Sequence, residues 1–338
     1  TGPGTAGDQL QTVRLYLNVP STATARVGDP GYPTGEGEDW DQLAVMIESA
    51  DNPKQPITAN GSHYYVRILS KNDYEDLPLQ SGYRWFPIDL VEGSSVYIYG
   101  VTYSSTATNN PAQAIENVVR NSDSFANIEI SNNYSTNESG QIDAAKFLSV
   151  ATGYYADNQG ERAAFTVRQP EGGLYDRTNM PTMTLTRLAA KIDIQWDAAD
   201  AYPNYTDVKV TNFTFDNNTE QPDGTETNNN GALFPALHSV TNADGHTTFY
   251  NTTAISQRNG RVYHYAFPNG STPEVRFTIT SQSADNPTAA SVTNTYTFKF
   301  KDKLQKATWY KLNVTIRGNS GNATISQEDE SGILDVGN

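Results

Sequence analysis

The chain has 338 residues, 36% of them hydrophobic and only 18% charged, with a net charge of −15 and no cysteine. An acidic surface with no basic cluster repels phosphate backbones and anionic lipid, which excludes nucleic acid as a partner. The lack of cysteine excludes disulfides, thiol chemistry and Cys-based metal centres.

The first element is read from Leu10 to Val19. Leu10, Val13, Leu15, Leu17 and Val19 are taken as one face, and Arg14, Tyr16 and Asn18 as the other, so the segment reads as a half-buried β-strand closed by Pro20. A small polar stretch, Ser21 to Ala25, leads to a single Arg26 ahead of the Gly28-Asp29-Pro30-Gly31 turn, the composition of an exposed, protease-accessible loop. Runs rich in β-branched and aromatic residues follow at 63–70, 83–90 and 94–104. One helix is predicted in "NPAQAIENVVRN", with Asn110 as cap, Pro111 at the first helical position, and Ile115, Val118 and Val119 on one face. A second short helical turn is predicted in "QIDAAKFLS" (141–149).

The interval "RQPEGGLYDRTNMP" (168–181) reads as a loop, and a new series of strands opens after it. In "MTLTRLAAKIDIQWD", Leu188, Ala190, Ile192, Ile194 and Trp196 form one face and Arg187, Ala189, Lys191, Asp193 and Gln195 the other. Then come "DVKVTNFTF", with a bulge expected near Asn212, "VRFTIT", "NTYTFKF" and "WYKLNVTI", the last with Tyr310, Leu312, Val314 and Ile316 inward. Many strands at hairpin spacing, few helices and no βαβ rhythm predict an all-β protein, and the length calls for two β-sandwiches. The expected division is residues 1–183, including the first strand, and 184–338, with a tail from 319.

Signals for chemistry are weak. "GPGTAG" (2–7) matches G-x-G-x-x-G, but no strand precedes it and no βαβ unit contains it. The four histidines, His63, His238, His246 and His264, are far apart and form no metal-binding pair. No nucleophile elbow is present, no catalytic residue is assigned, and no cofactor is expected. "DNNTEQPDG" (216–224) has oxygen ligands but lacks the alternate acidic positions of a calcium loop, and reads as solvated. Trp196 and Trp309 belong to strand faces and read as core, whereas Trp40 in "GEDWD" is expected to be exposed and is the candidate contact for a ligand such as a sugar. Ten Asn-x-Ser/Thr triplets fit a glycosylated ectodomain, but so long an ectodomain normally carries disulfides, so a bacterial surface protein is favoured.

"RVGDPG" (26–31) after a first strand, "TLTRLAAKIDIQ" (184–195) and "LQKATWYKLNVTI" (304–316) together resemble the fimbrillin-type pilus and surface-adhesion proteins of Bacteroidetes. The resemblance implies two tandem transthyretin-like, Greek-key β-sandwiches with one or two short helices. It also implies an exported lipoprotein precursor at the outer membrane, whose lipid anchor is absent from this chain. The implied role is a stalk, tip or anchor subunit of fimbriae, partnered by other fimbrial subunits and by a host or bacterial surface ligand. In stalk subunits of that family an Arg-specific protease removes the first strand, and the vacated groove takes a strand from the next subunit. Carried over, Arg26 is the cut position and residues 10–19 the exchangeable strand. The polar tail holding Ile325, Ile333, Leu334 and Val336 is a candidate donor, or else a loose terminus. The alternative reading is a carbohydrate-binding β-sandwich lipoprotein.

Overall fold

The structure is a computed structural model that describes residues 9–19, 40–131, 149–197, 205–216, 230–241, 246–250, 259–283, 285–288, 290–317 and 322–331. The first half begins with strands β1 (Leu10–Asn18), β2 (Gln42–Ser49) and β3 (Tyr64–Ser70). Helix α1 (Lys71–Glu75) follows, capped by Ser70, whose hydroxyl accepts from the Asp73 amide. Strands β4 (Leu79–Gln80), β5 (Tyr83–Val91) and β6 (Ser95–Tyr103) precede helix α2 (Ala112–Asn121). The short strands β7 (Glu129–Ser131), β8 (Ala151–Tyr154), β9 (Phe165–Thr166), β10 (Thr182–Thr184) and β11 (Thr186–Arg187) complete this half.

Two sheets face each other here. One has the order β10-β1-β5-β4; the other runs β11-β8-β6-β2-β3, with β9 also paired to β6. Between them Val13, Leu15 and Leu17 of β1 and Phe86, Ile88 and Leu90 of β5 meet Leu43, Val45 and Ile47 of β2 and Val96 and Ile98 of β6. The second sheet is buried on both faces, because Ala44, Met46, Tyr99 and Val101 point the other way and are covered by Ile115 and Val118 of α2 and by Phe125, Leu233, Phe234 and Phe267. A strand buried on both sides needs a continuous apolar run, which is what "LAVMI" in β2 supplies.

The remaining strands are β12 (Ala190–Asp197), β13 (Tyr205–Asp216), β14 (Asn230–Ala232), β15 (His246–Tyr250), β16 (Asn259–Ala266), β17 (Glu274–Ser283), β18 (Val292–Lys299), β19 (Thr308–Arg317) and β20 (Asn322–Ser331). They form sheets β16-β12-β19-β20 and β15-β13-β17-β18, while β14 pairs with β7. The register of β13 on β17 shifts between Thr211 and Thr214, a bulge spanning Asn212. Since β11 pairs with β8, the change of sheets falls between Arg187 and Ala190, a few residues beyond 184. The protein is all-β, with α1 and α2 the two α-helices among the described residues.

Two sequence expectations need correction. Helix α2 starts at Ala112 rather than at Pro111, which takes the cap position, while the Asn110 side-chain oxygen accepts from the Ala112 amide at 3.1 Å. On the side opposite Ile192 and Ile194, Arg187, Ala189, Lys191 and Asp193 are buried, and exposure begins at Gln195. Trp40 is 4% exposed; it packs edge-on against Tyr74, ring centroids 5.6 Å apart, with the Lys71 ammonium 5.4 Å from its ring. Its acidic neighbours suggested exposure, but the ring closes the end of the core beside α1 and offers no free face for a sugar. The helical turn predicted at 141–149 lies outside the described residues except for Ser149, the loop 216–224 except for Asp216, and residues 2–7 altogether.

Candidate functional site

The site is the slot that holds β1. This strand lies inside its sheet, antiparallel to β5 from Leu10↔Val91 to Leu17↔Arg84 and parallel to β10 over Tyr16↔Thr182, Leu17↔Met183 and Asn18↔Thr184. Backbone bonds continue past the ladder at both ends: the Glu92 amide donates to the Gln9 carbonyl at 2.8 Å, and the Leu185 amide to the Asn18 carbonyl at 2.9 Å. Val13, Leu15 and Leu17 are at most 1% exposed, and Val19 is buried beside Tyr74, whose hydroxyl accepts from the Val19 amide at 3.3 Å.

Leu10 departs from its expected face. It is 40% exposed, because a period of two puts residue 10 opposite residues 13, 15, 17 and 19. Tyr16 departs in the other direction. It does lie opposite the aliphatic face, but it is completely buried there: its hydroxyl sits 2.6 Å from Gln80 Oε1 of β4 and 3.0 Å from the Tyr175 carbonyl.

Tyr175 belongs to the interval 170–181, which runs over the outward side of β1. Its own hydroxyl donates to the Thr12 carbonyl at 3.2 Å. Further along, Met180 Sδ accepts from the Arg14 amide at 3.3 Å and the Pro181 carbonyl from the Tyr16 amide at 3.0 Å. The Arg14 guanidinium lies 3.7 Å from the Trp85 ring centroid and 4.8 Å from that of Tyr175, so the two rings share one cation. Thr12 Oγ1 donates to Asp89 Oδ1 at 2.5 Å.

Behind the slot, the opposing sheet carries a buried carboxylate. Glu48 accepts from Lys54 Nζ at 2.9 Å, the Tyr99 hydroxyl at 2.5 Å and Ser124 Oγ at 2.8 Å, and the Arg162 guanidinium donates to the Tyr99 oxygen at 2.8 Å. Burial, then the charge of Glu48, drives the Tyr99 hydroxyl to a much higher pKa; the Tyr64 hydroxyl is pushed up to about 12 by burial first and then by Glu48 and Asp123. A carboxylate with three donors is a structural post that fixes β2 against the segment after α2. Among the described residues no group of three or more His, Cys, Asp or Glu side chains is placed to hold a metal. His238 instead meets Glu129 of β7 at 3.0 Å.

Of the other residues singled out in the sequence, Arg26 lies outside the described residues, as do Ile333, Leu334 and Val336. Ile325 sits opposite Val314 in β20, an edge strand paired with β19 from Asn322↔Arg317 to Ser331↔Thr308, so the backbone of residues 322–331 is engaged within its own chain. Sequence reasoning missed Tyr16, Gln80, Trp85, Tyr175 and Met180 as parts of the site. Their contacts join residues 64 to 166 positions apart, and no local periodicity carries such a signal.

No family model matches the chain, and neither does any curated protein. Among solved structures, a provisionally named cell adhesion protein from Bacteroides eggerthii DSM 20697 superposes over 97% of this chain and 98% of its own, at 11% identity and a TM-score of 0.52. The tip fimbrial protein Mfa3 from Porphyromonas gingivalis matches over 95% of this chain and 99% of its own, at 12% identity and a TM-score of 0.43. The fimbrial anchor protein Mfa2 of the same organism matches over 94% and 97%, at 10% identity and a TM-score of 0.43. The first likeness shows a shared fold; the structural neighbours carry fimbrial and cell-adhesion names.

Proposed function

We propose that the chain is a structural subunit of bacterial surface fimbriae acting in cell adhesion, exported to the cell surface and partnered there by other fimbrial subunits. In this reading it is built as two β-sandwiches, the first ending near Arg187 and the second starting near Ala190. The fold shared with the B. eggerthii adhesion protein supports the reading. The observation that carries it is the slot itself. Val13, Leu15 and Leu17 of β1, Val19 just after it and the Tyr16 ring are all buried, in a strand that lies inside its sheet between β10 and β5.

Loss of β1 would uncover side chains worth roughly 1.5–3 kcal/mol each and would free the edges of both β5 and β10. A sandwich opened in this way has a strong drive to take in another strand, with backbone pairing supplying affinity and alternate pockets supplying specificity. Cleavage after Arg26 would release the wedge and open the slot to a strand from another subunit.

Treating the intact chain with an Arg-specific protease tests this. The expected result is a cut after Arg26, loss of residues 1–26 from the body and a ladder of oligomers in light scattering. A cut body that keeps its first strand and stays monomeric overturns the exchange mechanism and leaves a subunit with a permanent first strand.

A further inference from the structure

We propose that residues 171–181 form a strap that reads the outward face of whatever strand fills the slot. The partner it selects is an extended strand carrying a guanidinium and, two residues later, a phenol. This rests on the strand-exchange reading above and specifies the partner's chemistry.

The inner wall of the slot selects little. Val13, Leu15 and Leu17 present aliphatic bulk to an apolar core, and any strand with small-to-medium apolar residues at alternate positions meets that demand. The outer wall is exacting. A fully buried phenol at Tyr16 needs acceptors, and it has them in Gln80 Oε1 and the Tyr175 carbonyl, 2.6 and 3.0 Å away. A guanidinium at Arg14 fits between the Trp85 and Tyr175 rings, at 3.7 and 4.8 Å from their centroids. Residues 14 and 16 lie on one face of a strand, so the two requirements are read together.

The strap is pre-formed for this task. Asp176 Oδ1 accepts from the Thr178 amide at 3.0 Å, Thr178 Oγ1 at 2.7 Å and the Asn179 amide at 3.0 Å, closing a tight turn. The Arg177 guanidinium stacks 3.7 Å from the Tyr83 ring and ties the turn to β5, the strand that stays behind when β1 leaves. Tyr175 therefore reaches over the slot from supports that do not depend on its occupant. With an aliphatic residue at the position of Tyr16, Gln80 Oε1 and the Tyr175 carbonyl would lose the one hydroxyl proton they share.

The test uses the full chain with a site-specific protease sequence in place of residues 21–26 and a fluorophore on Thr1. After cutting, release of the amino-terminal fragment is followed by anisotropy with excess unlabelled peptide of residues 9–19. We expect the Tyr16→Phe and Arg14→Met fragments each to leave roughly tenfold faster than the parent fragment. Tyr175→Ala in the body should speed release of the parent fragment but add little for a fragment carrying both changes. Tyr16→Phe keeps the ring and Tyr175 lies in a surface loop, so folding is checked by an unchanged circular dichroism spectrum. Release rates within twofold across all variants would overturn the strap while leaving strand exchange intact. A parent fragment that excess peptide never displaces would overturn the exchange reading and the strap with it.

Discussion

Strands β1 and β12 occupy equivalent places in their sheets, each parallel to one neighbour and antiparallel to the other, yet they are held very differently. β1 pairs with β5 over eight residues but with β10 over three, whereas β12 pairs with β16 over eight and with β19 over seven. The core face of β1 is buried from Val13 to Leu17, while Thr12 and Arg14 on its outer side are half-buried beneath the strap. β12 is buried on both faces from Ala190 to Ile194, with Asp193 accepting from Trp309 Nε1 at 3.0 Å and the Lys191 ammonium 4.3 Å from the Trp309 ring. The same topological position thus yields a strand fixed by one full ladder and a set of side-chain contacts, and another fixed by two ladders and an enclosed polar pair. In the strand-exchange reading, only the first is the replaceable part.

The largest effects should come from charge placed on the enclosed face of β1. Leu15→Asp is expected to cost about 3 kcal/mol or more in urea unfolding, and Leu10→Asp less than about 0.5 kcal/mol, since only Leu15 is enclosed. Equal costs would break the assignment of faces. Glu48→Leu leaves Lys54, Tyr99 and Ser124 without their acceptor and should cost about 3 kcal/mol. A neutral result would show that the post behind the slot is dispensable. Gly153→Ala tests the packing of β8 under the joint between β10 and β11, because a Cβ there would meet the Thr184 carbonyl oxygen at 2.5 Å. A loss of about 1–3 kcal/mol in thermal melts is expected; an unchanged melting temperature would mean that this joint gives way.

The smallest effect concerns pH. Tyr64 ionises near 10 when unfolded and near 12 when folded, and Tyr99 is shifted in the same direction. Unfolding therefore releases protons between pH 10 and 12, so their contribution is complete below pH 10 and falls as pH rises through that window. Tyr64→Phe should make stability decline less steeply over this range, as measured by urea midpoints; an identical slope would contradict the burial of this hydroxyl.

Much of the fold was legible where one face is buried and the other is not. Alternation placed β19 to within a residue or two, β-branched and aromatic composition did the same for β5 and β6, and the bulge in β13 falls where Asn212 suggested. Legibility failed where burial is two-sided. β2 shows no alternation because both its faces are covered, and nothing local shows that the Lys191/Asp193 face of β12 is enclosed, because its enclosing partners come from β19 and β16. Helix α1 has five residues, too short for a helical period to emerge. The core side of the slot could be read from Val13, Leu15 and Leu17, but its outer wall could not: Tyr16 is buried only because Gln80 and Tyr175 arrive from distant parts of the chain.

Native-state hydrogen exchange on the intact chain tests the central contrast most directly, comparing amides from Val13 to Leu17 with those from Lys191 to Asp197. If β1 is a separable wedge, its amides exchange through an opening well below the free energy of global unfolding, while those of β12 exchange only when the whole structure unfolds. If both sets share one opening free energy, β1 is an integral strand like any other, and the account of a replaceable first strand is contradicted.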